Sequence, residues 1–293
     1  MKRYLRRATL LLLLLPVSGC GLTSRQVAST QSFGTATSGI GKFSEAEFTG
    51  LRKGIIRMNA EFVAIDTSRT AKELLDDMAV VSAEKTAKRI AAAKALSGYG
   101  DLLVKLSAKD NSANIRKSAD TFVTNAGIAL KQGVSSSEQG AISQLLAGLG
   151  TLLVENRKAD AVKKIVLQYE QPVNKLAGLL RDDFSLDGDG GYLAKYELAA
   201  KKLKNASTRL LRDGSRYRVL ERARAAEALI LSEDAIDHVQ AVSVEAGAAV
   251  DNLRKANAEL VRAIRQEEYS TDDIAVYARQ VQNLANLYQV LVD

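Results

Sequence analysis

The sequence predicts an all-α protein, an elongated antiparallel helical bundle or intramolecular coiled coil of about five to seven helices. Three observations predict it. Apolar residues recur three and four positions apart through most of the chain, the spacing of one helix face. Only Pro16 and Pro172 among 293 residues are proline, so long helices run uninterrupted. There is no tryptophan, 5% of residues are aromatic, and alanine and leucine are plentiful. Such a core suits closely packed helices better than an aromatic-lined ligand pocket.

The first element is not part of the bundle. Lys2, Arg3, Arg6 and Arg7 precede an apolar run from Ala8 to Leu15, which Pro16 closes. A helix crossing a bilayer core takes about 20 apolar residues, and this run has less than half of that. A basic front, a short apolar middle and small residues after it read as a secretory signal over residues 1–19. Val17-Ser18-Gly19-Cys20 resembles the lipobox of bacterial lipoproteins, in which a branched or leucine-like residue and two small residues precede a cysteine. The resemblance covers residues 1–21 only. It implies a diacylglycerol on the Cys20 thiol, cleavage before Cys20 by a dedicated signal peptidase, and often acylation of the new amine. In enterobacterial members an aspartate after the cysteine retains the protein in the inner membrane. Gly21 stands there instead, which implies the outer membrane and a body facing the periplasm.

Residues 20–43 form the lipidated N-terminus and are rich in Ser, Thr, Gly and Gln. Two readings are open for Gly21 to about Phe43: a flexible tether, or a helix with Val27, Phe33 and Ile40 loosely on one face. The bundle domain is read as 44–293. Ser44-x-x-Glu47 looks like a capping box. Phe48, Leu51, Ile55, Met58, Phe62 and Ile65 then make the seam of a long helix. A second helix runs from near Ser82 to about Leu106, and a third over about 112–131. Ser135-x-x-Glu138 caps a fourth, which continues to about Arg181. Its seam is Val162, Val166, Tyr169, Val173, Leu176 and Leu180, and Pro172 predicts a kink. D-G-D-G-G at 187–191 is the clearest break and divides the domain into two halves. Leu193, Tyr196, Ala200, Leu203, Ser207 and Leu210 form the next seam, which Asp213-Gly214 bends or ends. A long helix over about 215–267 follows. The last opens at Ser270-x-x-Asp273 and carries Ile274, Tyr277, Val281, Leu284, Tyr288 and Leu291.

The formal charge of +7 overstates the body. Four of the 41 Lys and Arg lie in the signal, leaving 41 − 4 = 37 against 34 Asp and Glu, or +3. That is not a nucleic-acid binder's balance. Cys20 is the only cysteine and His238 the only histidine. Cys/His zinc sites are therefore excluded, and a metal could be held only by oxygens. A Ser–His pair would have to use His238, which reads as an ordinary helix residue. No nucleophile elbow, phosphate loop or dinucleotide fingerprint stands out, and no cofactor is expected.

Three stretches carry candidate sites. Asp183, Ser185, Asp187 and Gly188 match the first, third, fifth and sixth positions of an EF-hand calcium loop, with Asp189 beside them. The twelfth position is Ala194 where that family has glutamate, which favours a plain polar turn. Residues 139–154 carry no charge and read as a buried bundle helix or a membrane-inserting element. Lys201, Lys202, Lys204, Arg209, Arg212 and Arg216 make a basic stretch, continued by Arg218, Arg222 and Arg224. It reads as a contact for an anionic surface, or as a solvated face paired with acids on neighbouring helices. The expectation is a lipid-anchored, non-enzymatic interaction or scaffold module. Its partners are the membrane, through Cys20, and an envelope protein or a second copy. The alternatives are a membrane-active protein working through 139–154 and a carboxylate-based wall hydrolase.

Overall fold

The computed structural model describes residues 21–66, 68–108, 112–130, 158–188, 190–213, 217–267 and 269–292. Among them lie eight helices: α1 (Ser24–Ile65), α2 (Ala71–Val80), α3 (Ala83–Ser107), α4 (Ser112–Leu130), α5 (Lys158–Asp183), α6 (Tyr192–Arg212), α7 (Val219–Ile264) and α8 (Asp272–Val292). No strand occurs among the described residues, so the all-α bundle stands. The 1–19 signal, Cys20, the 135–138 cap, the 139–154 segment, Asp189 and Arg216 lie outside the described residues. Within the described residues no helix is long and apolar enough to cross a membrane.

The tether reading of 20–43 is corrected, because from Ser24 this segment is helix. The capping box is Thr23/Gln26: the Thr23 hydroxyl accepts from the Gln26 N–H and the Gln26 side chain accepts from the Thr23 N–H, at 3.2 and 2.8 Å. Ser44 caps nothing. It sits mid-helix and its hydroxyl donates back to the Ile40 carbonyl at 2.7 Å. The helix runs through because its buried seam does, over Gln26, Thr30, Phe33, Thr37, Ile40, Ser44, Glu47, Leu51, Met58 and Phe62. The small residues that suggested a tether serve helix contact. A methyl added at Gly34 would meet the Gly100 carbonyl at 2.8 Å, and one at Gly41 would meet the Ala93 carbonyl at 2.6 Å. With no Cβ between them, α1 and α3 pack backbone to backbone.

At about 1.5 Å per residue, α1 and α7 are about 63 and 69 Å long and run the length of the molecule antiparallel. At one end, the base, the Gln26 amide donates to the Ala263 carbonyl and Arg25 lies over the Tyr269 ring. At the other, the tip, Arg224 near the start of α7 pairs with Glu61 near the end of α1. Helices α1, α3, α4, α5, α7 and α8 enclose the base core, with α4 packed on α3 and α5 and contributing Phe122. Phe33, Tyr99, Phe122, Tyr169 and Tyr277 meet there in tilted and edge-to-face contacts 4.7–6.5 Å between ring centroids. Pro172 lies inside α5, which continues past it.

The tip is thinner. Only α6 joins α1 and α7 there, and α2 lies along α1 with none of its own residues buried. The α7 seam changes to match. Leu253 and Leu260 serve the base, whereas Ala225, Ala228, Ser232 and Ala235 serve the tip. The turn between α5 and α6 marks the waist, as the break at 187–191 predicts. Gly188 holds φ = 78° there, a conformation that favours glycine. Phe184 stacks on Phe48 with centroids 5.2 Å apart, pinning the turn to α1.

Candidate functional site

The waist loop is organised around an arginine rather than open for a cation. Asp183 ends α5, is 8% exposed, and accepts from Arg89 Nε at 2.8 Å. Burial pushes its carboxyl above the ordinary range while the Arg89 charge pulls it back. The Arg89 guanidinium also lies 4.7 Å over the Tyr192 ring, whose hydroxyl meets Thr86 at 2.6 Å. The Ser185 hydroxyl accepts from the Asp187 N–H. Asp183 and Ser185 are thus engaged in a helix-ending turn, and no group of three or more acidic, His or Cys side chains among the described residues could hold a metal ion.

The basic stretch on α6 is mostly neutralised in place. Lys201 pairs with Glu197, Lys202 with Asp77, Lys204 with Glu233 and Arg209 with Asp66, at 2.8–3.4 Å. Of the two readings, the face paired with acids is the one these four side chains adopt. Arg212 is exposed and has no ion-pair partner among the described residues.

His238 is more than an ordinary helix residue. It stands on α7 with Nε2 2.7 Å from Oε1 of Glu47, a carboxylate on α1 whose residue is 3% exposed. The hydrogen bond to Glu47 raises the histidine above its usual value, against the effect of burial. Tyr196 of α6 lies beside it, centroids 6.4 Å apart, and burial raises its phenol. Sequence reasoning could not find this pair, because 191 residues separate its members.

The strongest surface feature is at the tip. A groove of about 370 Å³ between α1 and α7 is lined by Arg57, Glu61, Leu220, Ala223, Arg224, Glu227, Ala228 and Leu231. Glu61 is committed to Arg224 at 3.1 Å. Immediately beside the groove, Val219 and Leu220 are 82% and 83% exposed, against 69% for Val244, the next among the described residues. The signal in the sequence was Y-R-V-L at 217–220, an apolar pair set in an arginine-rich run.

Comparison with protein-family models, with curated proteins and with solved structures finds no match.

Proposed function

We propose that the chain is a lipid-anchored lipoprotein of the outer membrane whose periplasmic body is a non-enzymatic helical interaction or scaffold module. The observation that carries this reading is the continuity of α1. Its cap, Thr23, lies three residues after Cys20, and the helix then runs about 63 Å to the tip. Lipid on Cys20 would sit at the base and hold the tip away from the bilayer as a stiff arm. Each acyl methylene buried contributes about 0.8 kcal/mol, so two or three chains make release negligible.

Two measurements on the full-length protein in its own cells test the two parts separately. Labelled palmitate should enter the wild type and not Cys20→Ser, and absence of label from the wild type would overturn the anchor. A photo-crosslinking residue at exposed positions of the tip and of α4 should capture one stoichiometric envelope protein or a second copy at a fixed position. A lipidated protein that captures neither would remove the scaffold reading.

A further inference from the structure

The tip combines two properties that meet nowhere else on the described surface. The first is apolar area presented to water. Tyr217, Val219 and Leu220 are all exposed, and Val219 and Leu220 are the most exposed large apolar side chains among the described residues. They belong to the first turn of α7 and the residues before it, where the α6–α7 connection turns the chain round. A soluble surface gains nothing from two adjacent aliphatic side chains held out at the end of an arm.

The second property is charge. Arg212 and Arg218 are exposed and Arg222 is half-buried beside this pair. None of the three has an ion-pair partner among the described residues, whereas the lysines and Arg209 further along α6 are paired. Arg57, exposed on α1, adds a fourth such cation at the wall of the adjoining groove. The acids of the tip are largely engaged: Glu61 holds Arg224, Asp66 holds Arg209, and Glu221 accepts from the Arg218 N–H. Asp213, Glu221 and Glu227 remain as exposed counter-charges.

Apolar side chains ringed by arginines match the boundary of an anionic bilayer. There aliphatic and aromatic groups enter the acyl region while guanidinium groups meet the phosphates. We propose that the tip is a peripheral membrane contact, in which Tyr217, Val219 and Leu220 insert among anionic phospholipids and Arg57, Arg212, Arg218 and Arg222 engage their phosphates. The groove between α1 and α7 lies beside the inserted pair, shares Leu220 with it and carries Arg57 on its wall. This contact is at the opposite end from Cys20 and does not rest on lipidation. A protein with both would join two bilayer surfaces.

The test uses the chain from Gly21 to Asp293, which contains every described helix and no acylation site. The protein has no tryptophan, so Leu220→Trp places a single fluorophore at the tip. Its emission should shift to the blue with vesicles of phosphatidylglycerol and phosphatidylcholine, and not with phosphatidylcholine alone. In flotation, Val219→Ser/Leu220→Ser and Arg212→Gln/Arg218→Gln/Arg222→Gln should each weaken binding about tenfold or more. Added salt should weaken it further. These side chains are outside the core, and circular dichroism checks that the variants stay folded. Lys201→Gln/Lys204→Gln, which removes paired cations, should stay within about twofold of the parent. The proposal is overturned if the protein fails to float with anionic vesicles, as for a tip that docks a protein instead. It is equally overturned if binding survives the Val219/Leu220 change or is as strong to neutral vesicles.

Discussion

Base and tip are built on the same two helices and are held together differently. At the base six helices wrap an aromatic core, and glycines let α1 and α3 touch backbone to backbone. At the tip three helices meet, with alanine and serine of α7 facing Met58 and Phe62 of α1 and Leu203 and Leu210 of α6; a short fourth helix lies on the outside, and ion pairs join the helices. Buried apolar area is the main stabilising term and exposed ion pairs contribute little. The base should therefore be the stable body and the tip the part that opens first. Native-state hydrogen exchange would show it as slow amides in α3 and the C-terminal half of α7, and fast ones in α2 and the first turns of α7.

The largest expected effect sharpens this contrast at its source. Gly100→Ala puts a methyl into the Gly34 carbonyl and the backbone of Ser38, where only main chain is available to move. It should lose about 3 kcal/mol in denaturant unfolding. Gly50, on the exposed side of α1, has open space where its Cβ would be. Gly50→Ala should gain up to about 1 kcal/mol from helix propensity. If the two substitutions behaved alike, the close approach of α1 and α3 would not be what holds the base.

The waist comes next. Arg89→Met leaves Asp183 buried without its cation and should cost about 2–3 kcal/mol at neutral pH. The deficit should shrink in acid, because burial already favours the protonated carboxyl.

Much of this architecture was legible in the chain. The spacing of apolar residues placed α3 and α4 within a residue or two of their observed ends, and D-G-D-G-G marked the waist. Two features were not. In the first half of α1 the seam sets Phe33 and Ile40 among Gln26, Thr30, Thr37 and Ser44. Those two apolar residues left a helix open as one reading, but the small and polar ones between them carry too little hydropathy signal to choose it over a tether, and their purpose depends on a glycine face that only α3 reveals. The missed α2 is ten residues long and buries none of them, so its pattern is too short to stand out. For the candidate site, the basic run was visible, but which of its charges are paired depends on Asp66, Asp77 and Glu233 from elsewhere in the chain.

A pH titration separates the α1–α7 link from the rest. The hydrogen bond to Glu47 raises His238 in the folded protein relative to its ordinary value of 6.5. A raised folded value means that the pair's contribution is complete below about 6.5 and drains away as pH rises through the folded value. His238→Gln keeps a donor for Glu47 and removes the proton. It should flatten the stability–pH curve above about pH 6.5 while costing about 1–2 kcal/mol at the acid end. An unchanged slope would show that His238 is not the linked group.

The smallest effect asks what polar groups contribute to the base at all. Tyr99 and Tyr169 are buried there with hydroxyls that find no partner among the described residues. Burial pushes the Tyr169 phenol up to about 12 and Tyr99 higher still, so neither ionises in any ordinary buffer. Tyr192, at the waist, instead meets Thr86 at 2.6 Å. A buried hydroxyl without a partner keeps its desolvation penalty, and one with a partner recovers it. Tyr169→Phe should therefore be neutral or stabilising by about 0.5 kcal/mol, and Tyr192→Phe should cost about 1 kcal/mol. The edge-to-face contact of Tyr169 with Phe122 survives the first change, because it needs only the ring. If Tyr169→Phe proved as costly as Tyr192→Phe, the base would owe its stability to polar pairing as much as to ring packing, and its contrast with the tip would narrow to the number of helices enclosing each.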